Sequence, residues 1–162
     1  MLGTKENKRG KIVFLNVKDG KIIRRDGLVV EEFDFVEGTL EKIHTKEREF
    51  NGERVLYWYV PLRDDNGDLY LLGLPYSSGV FKGIVLSLAN DDRLTPLSTI
   101  RIETYLKDGR TKVSVYDQGE KLNWITSELP PVRETQVGGR IVKDDSERMS
   151  FIAGLVKKIN RE

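Results

Sequence analysis

Between Val36 and Asp117 the chain alternates short apolar runs with turn residues in an order that few small folds accept. Phe33 to Lys46 reads as one long strand, interrupted at Gly38, where a bulge would let it bend. Asn51-Gly52 reverses the chain into a run from Arg54 to Leu62. Asp64-Asp65-Asn66-Gly67-Asp68 then reverses it again into a run from Leu69 to Leu74. Ser77 or Ser78 is placed to cap a helix carrying Val80, Ile84, Val85 and Leu88 on one face, and Asn90-Asp91-Asp92 ends it. Ile100, Ile102 and Leu106 lead into the turn Asp108-Gly109, with Val113 and Val115 in the partner strand.

Three strands, a helix and two strands form the connectivity of an OB-fold, a small Greek-key barrel. The predicted fold is therefore mainly β: an OB-fold-like five-stranded Greek-key barrel (β-β-β-α-β-β) with an N-terminal hairpin and a C-terminal helix. The hairpin runs from Lys11 to Arg25 around Asp19-Gly20. The helix shows Met149, Ile152, Val156 and Ile159 on one face, and Asp144 and Glu147 have the spacing of a capping box at its start. Residues 127–143, with Pro130-Pro131 and Gly138-Gly139, read as a linker or long excursion. The predicted organisation is a basic arm and hairpin over 1–32 packed on the barrel, the barrel over 33–126, and a linker with an amphipathic helix over 127–162.

Composition excludes more chemistry than the motifs supply. The chain has no cysteine and a single histidine, His44, which removes disulfides, thiolate nucleophiles, most zinc sites and the usual Ser-His-Asp triads. No apolar run has the length of a membrane span, and the N-terminus lacks the apolar stretch of a secretory leader, so a cytoplasmic protein is expected. Charge is unevenly spread: residues 1–32 carry 8 basic and 5 acidic side chains, residues 33–126 carry 12 and 15, and residues 127–162 carry 7 and 6. The predicted barrel is thus mildly acidic, and binding of a polyanion would have to rest on local basic loops and stacking.

A symmetric hairpin about Asn66-Gly67 sets Leu62 opposite Leu71 and Arg63 opposite Tyr70. In that register Leu56, Trp58, Val60, Leu62, Leu69 and Leu71 form the core face, and Tyr57, Tyr59, Arg63, Tyr70 and Leu72 form the other. The face of the second and third OB strands, with the loops beside it, is where such barrels take ligands. Tyr57, Tyr59 and Tyr70 are candidates to stack bases, and Arg63 to contact phosphate or stack. Lys46, Arg48, Phe50 and Arg54 lie around the first loop, where Glu47, Glu49 and Glu53 offset them. Lys107, Arg110 and Lys112 crowd the second. The alternative is that the tyrosines cover a second layer beneath the N-terminal hairpin and that the cations are solvated hairpin tips.

Other motifs fail on their own chemistry. Aligning Gly67 with the glycine of a calcium loop puts Leu62 and Gly73 at positions that need a ligand, so the acidic run is a turn. Ser77-Ser78-Gly79 lacks the pattern of a nucleophile elbow and fits a helix cap. Glu31-Glu32 and Asp91-Asp92 have the composition for magnesium, but their predicted loop positions favour solvation. No catalytic residue, metal site or cofactor is predicted.

Two segments together resemble a known family. One is Trp58 to Gly79, with Asp65-Asn66-Gly67, Tyr70 and Leu74-Pro75-Tyr76-Ser77-Ser78-Gly79. The other is Tyr105, Asp108-Gly109, Val115-Tyr116-Asp117-Gln118-Gly119 and Trp124. Over residues 36–125 the chain resembles OB-fold single-stranded-DNA-binding proteins of bacterial viruses and related mobile elements, especially from gut bacteria. The resemblance implies a protein that coats single-stranded DNA in replication or recombination, located in the host cytoplasm if viral. The ending Leu155-Val156-Lys157-Lys158-Ile159-Asn160-Arg161-Glu162 departs from the Gly/Gln-rich, acidic-tipped tail of well-known bacterial members and offers self-association through the helix instead.

The expected function is non-enzymatic, sequence-tolerant binding of single-stranded DNA by Tyr57, Tyr59, Tyr70 and Phe50, with Arg54, Arg63, Lys107, Arg110 and Lys112 on phosphates. The alternative is a protein-interaction or virion-associated module without nucleic acid, and a carboxylate-metal nuclease is third.

Overall fold

The computed structural model describes residues 10–124 and 129–162. Its elements are β1 (Ile12–Lys18), β2 (Lys21–Asp26), β3 (Val29–Phe33), β4 (Phe35–Leu40), β5 (His44–Phe50), β6 (Glu53–Arg63) and β7 (Leu69–Pro75). Then come α1 (Gly79–Ala89), β8 (Thr99–Lys107), β9 (Arg110–Asp117), β10 (Glu120–Lys121), β11 (Arg133–Val137), β12 (Arg140–Asp144) and α2 (Ser146–Ile159). The protein is mainly β. One curled sheet runs β10-β9-β8-β4-β6-β7-β1-β2-β3, with β5 on β6 beyond the end of β4. The curl brings β2 side-on against β8 and β4.

Turn chemistry explains the hairpins. Asp19-Gly20, Asn51-Gly52, Asp108-Gly109 and Gln118-Gly119 each place two successive residues at positive φ. That is the type I′ geometry whose twist matches paired strands, and only glycine and small polar residues adopt it cheaply. The Asn66-Gly67 loop behaves differently. Asp64 Oδ1 accepts from the backbone N–H groups of Asn66 and Asp68, at 2.9 and 3.0 Å, and widens the connection to residues 64–68. Arg63 therefore pairs with Leu69, Leu62 with Tyr70 and Val60 with Leu72. This is one residue off the symmetric register, and a slip of one moves a strand's whole side-chain set to the opposite face. Leu69 and Leu71 go to the outer side, while Tyr70, Leu72 and Leu74 join Trp58, Val60 and Leu62 on the inner side.

The predicted long first strand breaks at Glu41-Lys42-Ile43, giving β4 and β5, rather than at Gly38. Buried Ile43 sits in the break, its N–H and C=O both bonded to the Asn160 side chain, at 3.0 and 2.8 Å. Gly38 instead permits a close strand contact. A Cβ there would come within 2.6 Å of the Arg63 carbonyl oxygen, so the lack of a side chain lets β4 close on β6. Gly38→Ala is expected to cost about 1–3 kcal/mol through overpacking. A thermal melt checks this, since each kcal/mol lowers Tm by about 2–4 °C at this chain size.

The Ser78 hydroxyl caps α1, accepting from the Phe81 N–H at 3.2 Å. Phe81 is fully buried and stacks on Trp58, with ring centroids 4.6 Å apart. The stripe of Met149, Ile152 and Val156 on α2 is buried, and the helix packs on α1, so the chain covers this face itself. No reciprocal capping box forms. Asp144 accepts from the Ser146 N–H, which holds its carboxyl below its ordinary value, while Glu147 pairs with Arg133 at 2.8 Å. Within the predicted linker, β11 and β12 form a separate exposed hairpin around Gly138-Gly139. Residues 125–128, in the middle of the predicted barrel-to-linker boundary, lie outside the described residues, as does most of the predicted basic arm.

Candidate nucleic-acid interface

Registers across the sheet decide which candidate side chains share a side. In β6, Tyr57, Tyr59 and Arg63 alternate with the buried Trp58, Val60 and Leu62, so they lie on the outer side. Arg63 pairs with Thr39 in β4, and Thr39 pairs with Thr99 in β8. Counting by twos from Thr99 puts Tyr105 and Lys107 on that same side, with their partners Lys112 and Arg110. Phe50 joins them through Glu53. Seven of the nine predicted site residues thus share the outer side. Arg54 and Tyr70 do not. Arg54 follows the parity of Leu56 and Trp58 and stands 3.7 Å from Glu47. Tyr70, displaced by the register at Asp64, is half-buried and donates its hydroxyl to Asp64 Oδ2 at 3.1 Å. Burial and that bond raise the Tyr70 pKa above its ordinary value.

The same alternation sorts the first loop by charge. Lys46 pairs with Tyr57 and Arg48 with Val55 on the outer side, whereas Glu47 and Glu49 pair with Leu56 and Arg54 on the inner side. Two of the three acids that offset these cations along the sequence, Glu47 and Glu49, are therefore on the opposite side from them, while Glu53, paired with Phe50, shares the outer side.

Tyr59 sits at the centre of an aromatic cluster. His44 stacks on it with centroids 5.7 Å apart, and Phe14 meets it edge-on at 6.5 Å. The Arg48 guanidinium stands 5.2 Å from the Tyr57 ring centre and 5.7 Å from that of Tyr59, within cation–π range. Gly73 makes room for this, since a Cβ there would come 3.0 Å from the Tyr59 ring. Tyr59 is consequently buried, at 4% exposure, and acts as the floor of the cluster. Phe14 (53% exposed) and Phe50 (67%), with the half-buried Tyr57, present their rings to solvent instead.

Phe14 arrives by a pairing that local patterns do not encode. β1 lies parallel to β7, with Phe14 beside Leu71 and Ile12 beside Leu69. The β1–β2 turn then docks on the β8–β9 hairpin: the Gly20 N–H donates to Thr111 Oγ1 at 3.0 Å, and the Thr104 hydroxyl donates to the Gly20 carbonyl at 2.9 Å. β1 thus spans from the aromatic cluster to the β8–β9 hairpin, six residues or about 20 Å at strand rise, and its turn meets that hairpin through Thr104 and Thr111, on the side opposite Lys107, Arg110 and Lys112.

Arg63 is engaged: its guanidinium bonds Glu41 and the Gly67 carbonyl, and the Glu41 bond raises its pKa. Among the described residues, Lys46, Arg48, Lys107, Arg110 and Lys112 have no ion-pair partner. Glu37 and Glu103, also outer, are taken up by Arg101 at 2.8 and 3.5 Å. Away from this face, Glu31-Glu32 falls within β3 rather than a loop. Among the described residues, no group of three or more His, Asp or Glu side chains converges, and no helix is long and apolar enough to cross a membrane.

Compared with family models, curated proteins and solved structures, the chain finds no match.

Proposed function

We propose that this chain is a non-enzymatic, sequence-tolerant binder of single-stranded DNA. The observation that carries the reading is the outer face itself: solvent-facing Phe14, Tyr57 and Phe50 beside Lys46 and Arg48, with Lys107, Arg110 and Lys112 further along the same side, none of the five cations in an ion pair among the described residues. Aromatic platforms combined with a positive track are what an unpaired strand requires, since every base has a stackable face and every phosphate a charge. β9-β8-β4-β6-β7 stand in the order of an OB barrel's fifth, fourth, first, second and third strands. In this reading they form such a barrel, with β1 and β2 occupying the side between β7 and β9 where the closing strand pair would form. The bound strand runs from the cluster around Tyr57 and Phe14 along β1 to Lys107, Arg110 and Lys112.

Fluorescence anisotropy with a labelled oligonucleotide tests this. Tighter binding of single strand than of duplex is expected, weakening with salt. With all five cations on phosphates, the slope of log K against log salt is about −3.5. Equal affinity for duplex, or no binding at low salt, refutes the proposal.

A protein-interaction role is supported by β3, an edge strand exposed along its whole length with Val29, Val30 and Phe33 in it. With the α2 stripe covered, such contacts fall to this edge. Oligomers that persist without DNA and are lost on Val30→Lys would favour it.

A further inference from the structure

We infer that the β11–β12 hairpin of one copy of this chain adds as a strand to the β3 edge of a second copy. All ten residues of β11 and β12 are exposed, and among the described residues neither strand pairs with the main sheet. A two-stranded ribbon is marginal in water, and a third strand or an apolar surface is what completes it. Its apolar side chains Val137, Ile141 and Val142 face solvent. β3 ends the main sheet, and all five of its residues are exposed too. The inference gives an occupant to the edge named above and rests on that reading of β3, not on DNA binding.

Charge selects the occupant. A second β3 is a poor one, because Glu31 lies at the strand's centre and antiparallel pairing about it sets Glu31 opposite its own copy. β12 carries the complement. Among the described residues Arg140 and Lys143 have no ion-pair partner, and neither have Glu31 and Glu32; Arg24 stands across from Glu31 in β2 without bonding it. Antiparallel pairing with Lys143 beside Glu31 also sets Ile141 beside Phe33 and Asp144 beside Val30, with Arg140 diagonal to Glu32. A parallel arrangement that keeps Lys143 beside Glu31 opposes Asp144 to Glu32 instead. Alternation puts Ile141 and Lys143 on the side of Glu31 and Phe33, which line a cavity of about 430 Å3 together with the buried Val13, Leu15, Ile22 and Val36. A free edge for main-chain bonds and a pocket for alternate side chains are the two parts of strand addition. Each copy offers one hairpin and one edge, so the contact is head-to-tail, closed if two copies exchange hairpins and extended otherwise.

Sedimentation velocity of the full chain without DNA tests this. Association that strengthens with concentration is expected. The double variants Glu31→Lys with Glu32→Lys, and Arg140→Glu with Lys143→Glu, should each weaken it at least about tenfold. Mixing the two should restore it, since each then meets the opposite charges on the other; a variant that merely misfolds is not rescued this way. The chain has no cysteine of its own, so Phe33→Cys protein mixed with Ile141→Cys protein should form a disulfide-linked pair. That pair should form faster than the one between Phe33→Cys and Leu97→Cys, a site 84% exposed elsewhere. A parent that stays monomeric at every concentration, or a mixture no better than its components, overturns the inference. Oligomers lost on Val30→Lys but indifferent to the charge exchange keep the β3 edge and overturn the hairpin as its occupant.

Discussion

Replacing Phe14 and Tyr57 together by alanine is expected to weaken binding of a single-stranded oligonucleotide at least about 30-fold, from about 1–3 kcal/mol per lost base stack. Both rings reach solvent, and neither belongs to the buried core, so the variant should melt within a few degrees of the parent. Changing Tyr70 to phenylalanine is the matched control. Its ring lies on the inner side and its hydroxyl serves Asp64, so affinity should hold. Anisotropy titrations at one salt concentration decide the matter. A double variant that binds like the parent removes the outer face from the function, whatever the chain then proves to bind.

The second large effect falls on the fold. Phe81→Ala should cost about 3–5 kcal/mol, the range for truncating a fully buried aromatic. At this chain length that lowers Tm by about 6–20 °C. The cost is high because Phe81 stacks on Trp58, which stacks in turn on Tyr76 with centroids 5.6 Å apart, so one truncation opens the joint between α1 and β6. Chemical denaturation would show a lower midpoint with an unchanged slope. Oligonucleotide affinity measured well below the new Tm should match the parent, because the lost contacts lie on the inner side. The two variants therefore separate recognition from stability in opposite directions.

Much of this was legible from local chemistry. Two-residue turns of the Asp-Gly and Asn-Gly type, a serine before an apolar helix and period-two alternation in β6 each act over a few residues, and each is where the pattern puts it. What failed was non-local or cooperative. The side chain of Asp64 gathers two backbone N–H groups and shifts the register, which moved Tyr70 off the candidate face. The break at Ile43 depends on Asn160, far along the chain. The opposition of Lys46 and Arg48 to Glu47 and Glu49 was readable from alternation alone, once β5 was seen as a strand separate from β4. Of the candidate site, the outer tyrosines and the cations near Asp108-Gly109 were visible, while Phe14 and His44 waited on tertiary pairing.

The parallel pairing of β1 with β7 also sets an order of assembly. Parallel neighbours cannot be joined by a tight turn, and here more than fifty residues separate Phe14 from Leu71. The β1–β2 hairpin, made before β7, must therefore wait for β7 before it can dock, whereas the β5–β6, β6–β7 and β8–β9 hairpins close locally. Contacts between distant segments form slowly, since loop-closure entropy opposes them before any packing rewards them. Trp58 belongs to the early-closing part, and Phe14 to the late one. In stopped-flow refolding, indole fluorescence should recover in a faster phase than the ability to capture an oligonucleotide.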